Sequence, residues 1–190
     1  MSLTVEKCLQ AWTNSLRQMN AKADIVFFGD SLTYYGDFST MFPDKVVCNL
    51  GLRGDTIQGM IDRVEQLSIV KPAIIFMMAG INDVASCSLK QFEERYCALV
   101  ESVRRTVPTA ELVLQSLLPV NTSYHSISCT NQQIVFCNNV ISHLSTIYNT
   151  RYINLYTIYE KDGELPLEMT SDGIHILPSF YNLWLRSITF

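Results

Sequence analysis

The residues predict an α/β fold, a three-layer α/β/α sandwich around a five-stranded parallel sheet. Short strand-like runs alternate with helical patterns along the chain, the signature of βαβ units. The third run, AIIFMMA at 73–79, is apolar throughout, as a strand covered on both faces should be. A doubly wound strand order, 2-1-3-4-5, is the expected arrangement. No repeat, low-complexity tract or linker interrupts the sequence, so residues 1–190 read as a single domain.

The first element is an amphipathic helix, with Val5, Cys8, Leu9, Trp12, Leu16 and Met19 at helical spacing. The strand runs are DIVFFG (24–29), KVVCN (45–49), AIIFMMA (73–79), ELVLQS (111–116) and RYINL (151–155). Ile57, Met60, Ile61, Val64 and Leu67 form one helical stripe. Leu89, Phe92, Tyr96, Leu99, Val100 and Val103 form the next, opened by Ser88 with Gln91 at capping-box spacing. Ile134, Cys137, Val140, Ile141, Leu144 and Ile147 form a third. A last stripe, Phe180, Leu183, Trp184 and Ile188, begins near Pro178.

At 48% apolar and 17% charged residues the chain is rich enough in apolar side chains to bury a sizeable core. A net charge of −4 points away from nucleic acid. No apolar run approaches the roughly 20 residues that span a bilayer. The N-terminal residues lack a basic region followed by an apolar stretch, so no signal peptide is read and the expected location is cytoplasmic. Cys8, Cys48, Cys87, Cys97, Cys129 and Cys137 form no C-x-x-C pair and no zinc-like cluster with histidine. They read as reduced, small apolar filler, and no metal is expected.

Open parallel sheets bind ligands at the carboxyl ends of their strands. There the sequence places Gly29-Asp30-Ser31, NLGLRGDT (49–56), Gly80-Ile81-Asn82-Asp83 and LLPVN (117–121), and a late loop carries SDGIH (171–175). A serine hydroxyl needs a base within hydrogen-bond reach to act as a nucleophile. His175 can be that base for Ser31. Asp172, three residues earlier, can hold the imidazole from a tight turn. Oxyanion donors are available in the N–H of Ser31, the N–H of Gly54 and the side-chain amide of Asn82. Tyr34, Tyr35, Leu52, Arg53 and Ile81 flank these groups and are the expected pocket lining.

Taken singly, each residue has a plainer explanation. Ser31 can cap a helix, His175 can be a structural histidine, Gly51 and Gly54 can mark turns, and Asn82-Asp83 can be a turn or cap. Only their convergence on one rim favours chemistry. Of the other histidines, His143 reads as solvated on a helix, and His125 lies in the 117–130 loop near enough to be considered for ligand contact.

The chain resembles the GDSL-type, or SGNH, hydrolases, a family of esterases and lipases. Gly29-Asp30-Ser31-Leu32 looks like the first block of that family, NLGLRGDT the second, Gly80-x-Asn82-Asp83 the third and Asp172-x-x-His175 the last. LLPVN and Asn138 look like bacterial members similar to platelet-activating-factor acetylhydrolase. After His175 the sequence departs from the usual pattern, reading HILPSFYNLW, which touches the last helix and not the candidate triad. The resemblance implies a flavodoxin-like sheet and no cofactor. It also implies a serine esterase with Ser31, His175 and Asp172 as triad, Ser31, Gly54 and Asn82 as oxyanion hole, and a small-molecule ester as substrate. The compact chain suggests a short acyl group, such as acetyl on a sugar or small alcohol. An acyltransferase using the same groups and a non-catalytic binding relative are the alternatives. A homo-oligomer is compatible with all three.

Overall fold

The computed structural model describes residues 3–18, 22–125 and 127–188. Its strands are β1 (Ile25–Gly29), β2 (Val47–Gly51), β3 (Ile74–Met78), β4 (Glu111–Gln115) and β5 (Arg151–Ile153). All pairings are parallel and the order is β2-β1-β3-β4-β5. Successive residues of a strand face opposite sides of the sheet. All of β1, Phe27 and Phe28 included, is buried, so both faces are covered there.

The helices are α1 (Leu3–Gln18), α2 (Ser31–Tyr34), α3 (Ile57–Asp62), α4 (Glu65–Val70), α5 (Leu89–Thr106), α6 (Asn131–Ile147), α7 (Tyr156–Tyr159) and α8 (Tyr181–Arg186). α1 packs on α4, α3 on α5 and α5 on α6. Leu16 of α1 is buried and Trp12 packs against the core. Met19, and the side chains of Val5 and Cys8, lie outside the described residues. α5 opens with the expected Ser88–Gln91 capping box, and α6 has its own from Thr130 and Gln133. Among the described residues no helix is long and apolar enough to cross a membrane. Cys129 and Cys137 are buried, whereas Cys48, Cys87 and Cys97 are half-buried, so only part of the set is true core filler.

Three boundaries differ from the sequence reading. β2 runs from Val47 to Gly51 rather than over 45–49, because its pairing with β1 is in register from Ile25↔Val47 to Gly29↔Gly51. Asn and Gly disfavour strands, yet glycine is needed at 51. A Cβ there would lie 2.2 Å from the Tyr34 backbone nitrogen, so its absence lets α2 cross the strand end. The 57–67 stripe is broken into α3 and α4 at Arg63, whose backbone leaves the helical region (φ −114°, ψ 14°) while its side chain turns inward. At the C-terminal end, Pro178–Phe180 form a 3₁₀ turn ahead of α8, and Ile188 is buried beyond the helix.

One aromatic column ties the sheet to the C-terminal helix. Phe27 of β1 stacks between Phe76 of β3 and Phe38, at ring-centroid distances of 5.0 and 3.7 Å. Phe38 then meets Trp184 and Tyr181 edge-on. The Tyr181 hydroxyl donates to the Leu32 carbonyl at 2.7 Å. The last helix is thereby fastened to the turn that carries Ser31, across 149 residues of sequence.

Candidate active site

β1 ends at Gly29, and Asp30 turns the chain into the one-turn helix α2. Asp30, not Ser31, is the cap: its Oδ1 accepts the Leu32 N–H at 2.9 Å. Ser31 is the first helical residue, 7% exposed, with its hydroxyl directed to the rim. The loop before α8 is closed by a bridge between Thr170 and Ile176. Within it Thr170 Oγ1 accepts the Gly173 N–H, and Asp172 Oδ1 accepts the N–H groups of Ile174 and His175 at 3.0 and 2.8 Å. Those two bonds fix the carboxylate, leaving Oδ2 to meet His175 Nδ1 at 2.6 Å. His175 Nε2 lies 2.8 Å from Ser31 Oγ. With Nδ1–H donating to Asp172, Nε2 is left as the acceptor for the Ser31 hydroxyl. Burial pushes the Asp172 carboxyl up, but the bonds from the His175 ring and the two N–H groups outweigh it, and the group sits below its ordinary range. The same bonds favour the charged form of Asp172 beside the His175 ring.

Two loops carry the other groups expected from the sequence to act as hydrogen-bond donors. Gly54 has φ +71°, a left-handed conformation that glycine adopts at little cost. Among the described residues the N–H groups of Ser31 and Gly54 donate to no protein acceptor. Asn82 Nδ2 donates one hydrogen to the Asp55 carbonyl at 2.7 Å, which holds the amide beside the Gly54 loop. Thr56 caps α3 by accepting the Gly59 N–H, and Asp83 Oδ2 accepts the Ile57 N–H at 2.9 Å beside it. Ser31, Arg53, Gly54, Asn82, Ile174 and His175 line one open cavity of about 470 Å³.

The remaining expected lining residues fare differently. Neither tyrosine is among the residues lining the cavity, and both are exposed. Tyr35 meets His175 edge-on at 5.3 Å and carries the Arg53 guanidinium over its ring at 5.6 Å, whereas Tyr34 lies edge-on to Tyr35. Leu52 lines a neighbouring cavity that shares Arg53 and Gly54 with the first and also includes Asp55, Gln58 and Asp62. Ile81 points into the core and is 8% exposed. His125 is exposed and away from the cavity, and His143 is exposed on α6. Asn138 clamps the Leu117 backbone through both its amide oxygen and nitrogen.

Sequence reasoning passed over Ile174, which adjoins His175 and lines the cavity. It also passed over two residues that hold the rim together. Asn49 donates to the carbonyls of Thr33 and Gly36 at 2.8 and 2.9 Å and accepts from Gly51, tying β2 to α2. Arg63, 2% exposed, donates to Gly29 and Leu50 carbonyls at 3.0 and 2.9 Å and pairs with Asp55 at 2.7 Å. It therefore joins the end of β1, the end of β2 and the Gly54 loop.

The relatives agree with this architecture. The family described as GDSL-like lipase/acylhydrolase matches residues 27–183. The chain belongs to that family. A platelet-activating factor acetylhydrolase IB subunit beta homolog from Drosophila melanogaster is 28% identical over 133 residues, 64% of this chain, and the match spans 55% of the Drosophila protein. The solved structure of a GDSL-like lipase from Bacteroides thetaiotaomicron superposes with a TM-score of 0.78 at 18% identity, covering 94% of this chain and 93% of that one. A lipase/acylhydrolase from Enterococcus faecalis gives 0.69 at 21% identity, covering 86% and 91%. The GDSL-like fold is thus shared across these chains at low identity.

Asp30 has a second property that is directly testable. Its carboxyl is fully buried, and Oδ2 has no hydrogen-bond partner among the described residues. Burial raises its pKa from 3.8 to about 7; the Leu32 N–H and Arg63 oppose this, and Asp55 and Asp83 add repulsion. A carboxyl that is harder to ionise when folded contributes stability below its unfolded pKa and loses it as pH rises through the folded value. The difference in unfolding free energy between wild type and Asp30→Asn is therefore expected to shrink from about pH 4 to about pH 7 and then stay flat. Urea unfolding across that range measures it. A constant or growing difference contradicts the neutral buried acid.

Proposed function

We propose that the protein is a serine esterase hydrolysing carboxylic esters with short acyl groups, acetyl foremost, of sugars or small alcohols. The observation that carries this is the unbroken line Ser31 Oγ–His175 Nε2 and His175 Nδ1–Asp172 Oδ2, at 2.8 and 2.6 Å, beside unengaged backbone N–H groups. The acetylhydrolase named among the relatives supports the short acyl group.

Ser31 Oγ attacks the ester carbonyl carbon while its proton passes to His175 Nε2. Asp172 stabilises the imidazolium that results. The carbonyl oxygen becomes an anion held by the N–H of Ser31, the N–H of Gly54 and the Asn82 amide. Collapse expels the alcohol, whose oxygen takes the proton from Nε2, and leaves the acyl group on Ser31. Water then enters, gives its proton to His175 and attacks the acyl carbon. The Ser31 oxygen leaves, takes that proton back, and the carboxylic acid departs.

A series of p-nitrophenyl esters from acetate to palmitate, with labelling by a fluorophosphonate, tests the proposal. Acetate to butyrate should give the highest kcat/KM, and peptide mass analysis should find the phosphonyl group on Ser31. No hydrolysis across the series together with an unlabelled Ser31 would overturn the assignment.

A further inference from the structure

We propose, on the esterase reading above, that Arg53 makes this enzyme selective for esters whose alcohol part carries an anionic oxygen group, a carboxylate or a phosphate. The cavity lining is almost free of formal charge. Arg53 brings the one side chain there with a permanent cationic group, since the Asp172 carboxylate is spent on His175 and lies behind it. Arg53 is exposed and makes no ion pair among the described residues. The acids nearest in the fold are otherwise engaged: Asp55 is held by Arg63, and Asp62 accepts from Gln58 Nε2 at 2.8 Å. Arg53 also lines the neighbouring cavity that holds Asp55 and Asp62, and among the described residues it forms an ion pair with neither.

Its position indicates which half of the substrate it meets. The leaving alcohol must take its proton from His175 Nε2, so it departs along the flank of that ring. Tyr35 stands edge-on to the ring at 5.3 Å, and Arg53 lies over the Tyr35 face at 5.6 Å. A single aromatic ring therefore separates the guanidinium from the imidazole that hands its proton to the leaving alcohol. Stacking restrains the planar fork without using its N–H donors, which stay available for two-point binding of a carboxylate or phosphate. The cavity is open to solvent, so the added group has room at its mouth.

Acetate esters of phenols with and without charge test this. 4-Acetoxybenzoate and 4-acetoxyphenyl phosphate supply the two anions, and methyl 4-acetoxybenzoate is the neutral partner. Wild type should favour both anionic esters in kcat/KM, mainly through KM, and the preference should fall as salt rises. In Arg53→Gln, kcat/KM should drop about tenfold further for the anionic esters than for the neutral one, with Arg53→Lys recovering part of the loss for phosphate more than for carboxylate. A preference for only one anion would identify its source. Equal wild-type rates on charged and neutral esters, or an equal drop for both in Arg53→Gln, would overturn the proposal and leave the esterase standing. A direct binding arm separates the two ideas: 4-hydroxybenzoate and phenyl phosphate should bind Ser31→Ala by calorimetry and lose affinity when Arg53→Gln is added. Binding without turnover of any ester would sink the esterase reading alone, and loss of neither binding nor selectivity would sink the role of Arg53.

Discussion

Replacing Ser31 with alanine should lower kcat on p-nitrophenyl acetate by about 10³-fold or more. On the proposed mechanism, removing one hydroxyl deletes the atom that bonds to carbon in the first step, and among the described residues lining the cavity no other group can take its place. Asn82 is an amide, and the other lining groups are a cation, a backbone N–H, an isoleucine and the imidazole itself. The fold should hardly notice. Asp30, not Ser31, caps α2, and the Ser31 hydroxyl has His175 as its side-chain partner. His175 is about a third exposed, so water can serve Nε2 in the variant. Thermal and urea unfolding should therefore stay within about 0.5–1 kcal/mol of wild type. The residual rate tells more. Groups that act as one unit do not add, so Ser31→Ala combined with His175→Ala should be little slower than either alone. Independent, multiplying losses would mean that Ser31 and His175 serve different steps. Near-normal turnover in the alanine variant would reduce Ser31 to a residue of a short helix.

The parts of this protein that were legible in the sequence are those that depend on local pattern. Apolar runs locate five strands because a parallel strand buried on both faces has no polar positions to spare. The candidate site residues were legible because Gly-Asp-Ser breaks an apolar run with turn-forming residues at the carboxyl end of a strand, where open parallel sheets place their ligands. What pattern does not encode is direction. Tyr34 and Tyr35 are adjacent, yet only Tyr35 faces His175. Ile81 adjoins Asn82, yet its side chain returns to the core. Adjacent residues in a turn share a position in the chain and not a direction. Arg63 is the clearest case. A charged residue beside an apolar stripe looks solvated from the sequence, and its burial is visible only once the carbonyl ends of two strands that lie far from it in sequence converge on it.

That convergence makes Arg63→Met the largest expected effect on stability. Burial draws both partners toward their neutral forms, Arg63 down and Asp55 up, despite the 2.7 Å contact between them. Such a pair adds little net stability, but removing one member is costly because the other is left charged and dry. Methionine would fill the space between the rings of Phe28 and Trp12, which now lie 4.5 and 5.9 Å from the guanidinium. It would leave the Asp55 carboxylate and the carbonyls of Gly29 and Leu50 without this donor. A loss of about 3–5 kcal/mol is expected, and at about 2–4 °C per kcal/mol the melting temperature should drop on the order of 10 °C. Adding Asp55→Asn should restore part of it, because the stranded charge is then gone even though the two carbonyls still lack the guanidinium donor. If the lost bonds to the carbonyls dominate instead, the double variant will melt no higher than Arg63→Met. The effect should reach the chemistry as well. Gly29 precedes Asp30-Ser31 and Asp55 follows Gly54, so the residue that closes the gap between them also sets the spacing between Ser31 and the Gly54 N–H, the nucleophile and oxyanion donor of the proposed mechanism. Below its own melting range, Arg63→Met should therefore lose kcat rather than raise KM. A variant within about 1 kcal/mol of wild type and with unchanged kcat would show that the two strand ends and the Gly54 loop keep their spacing without it.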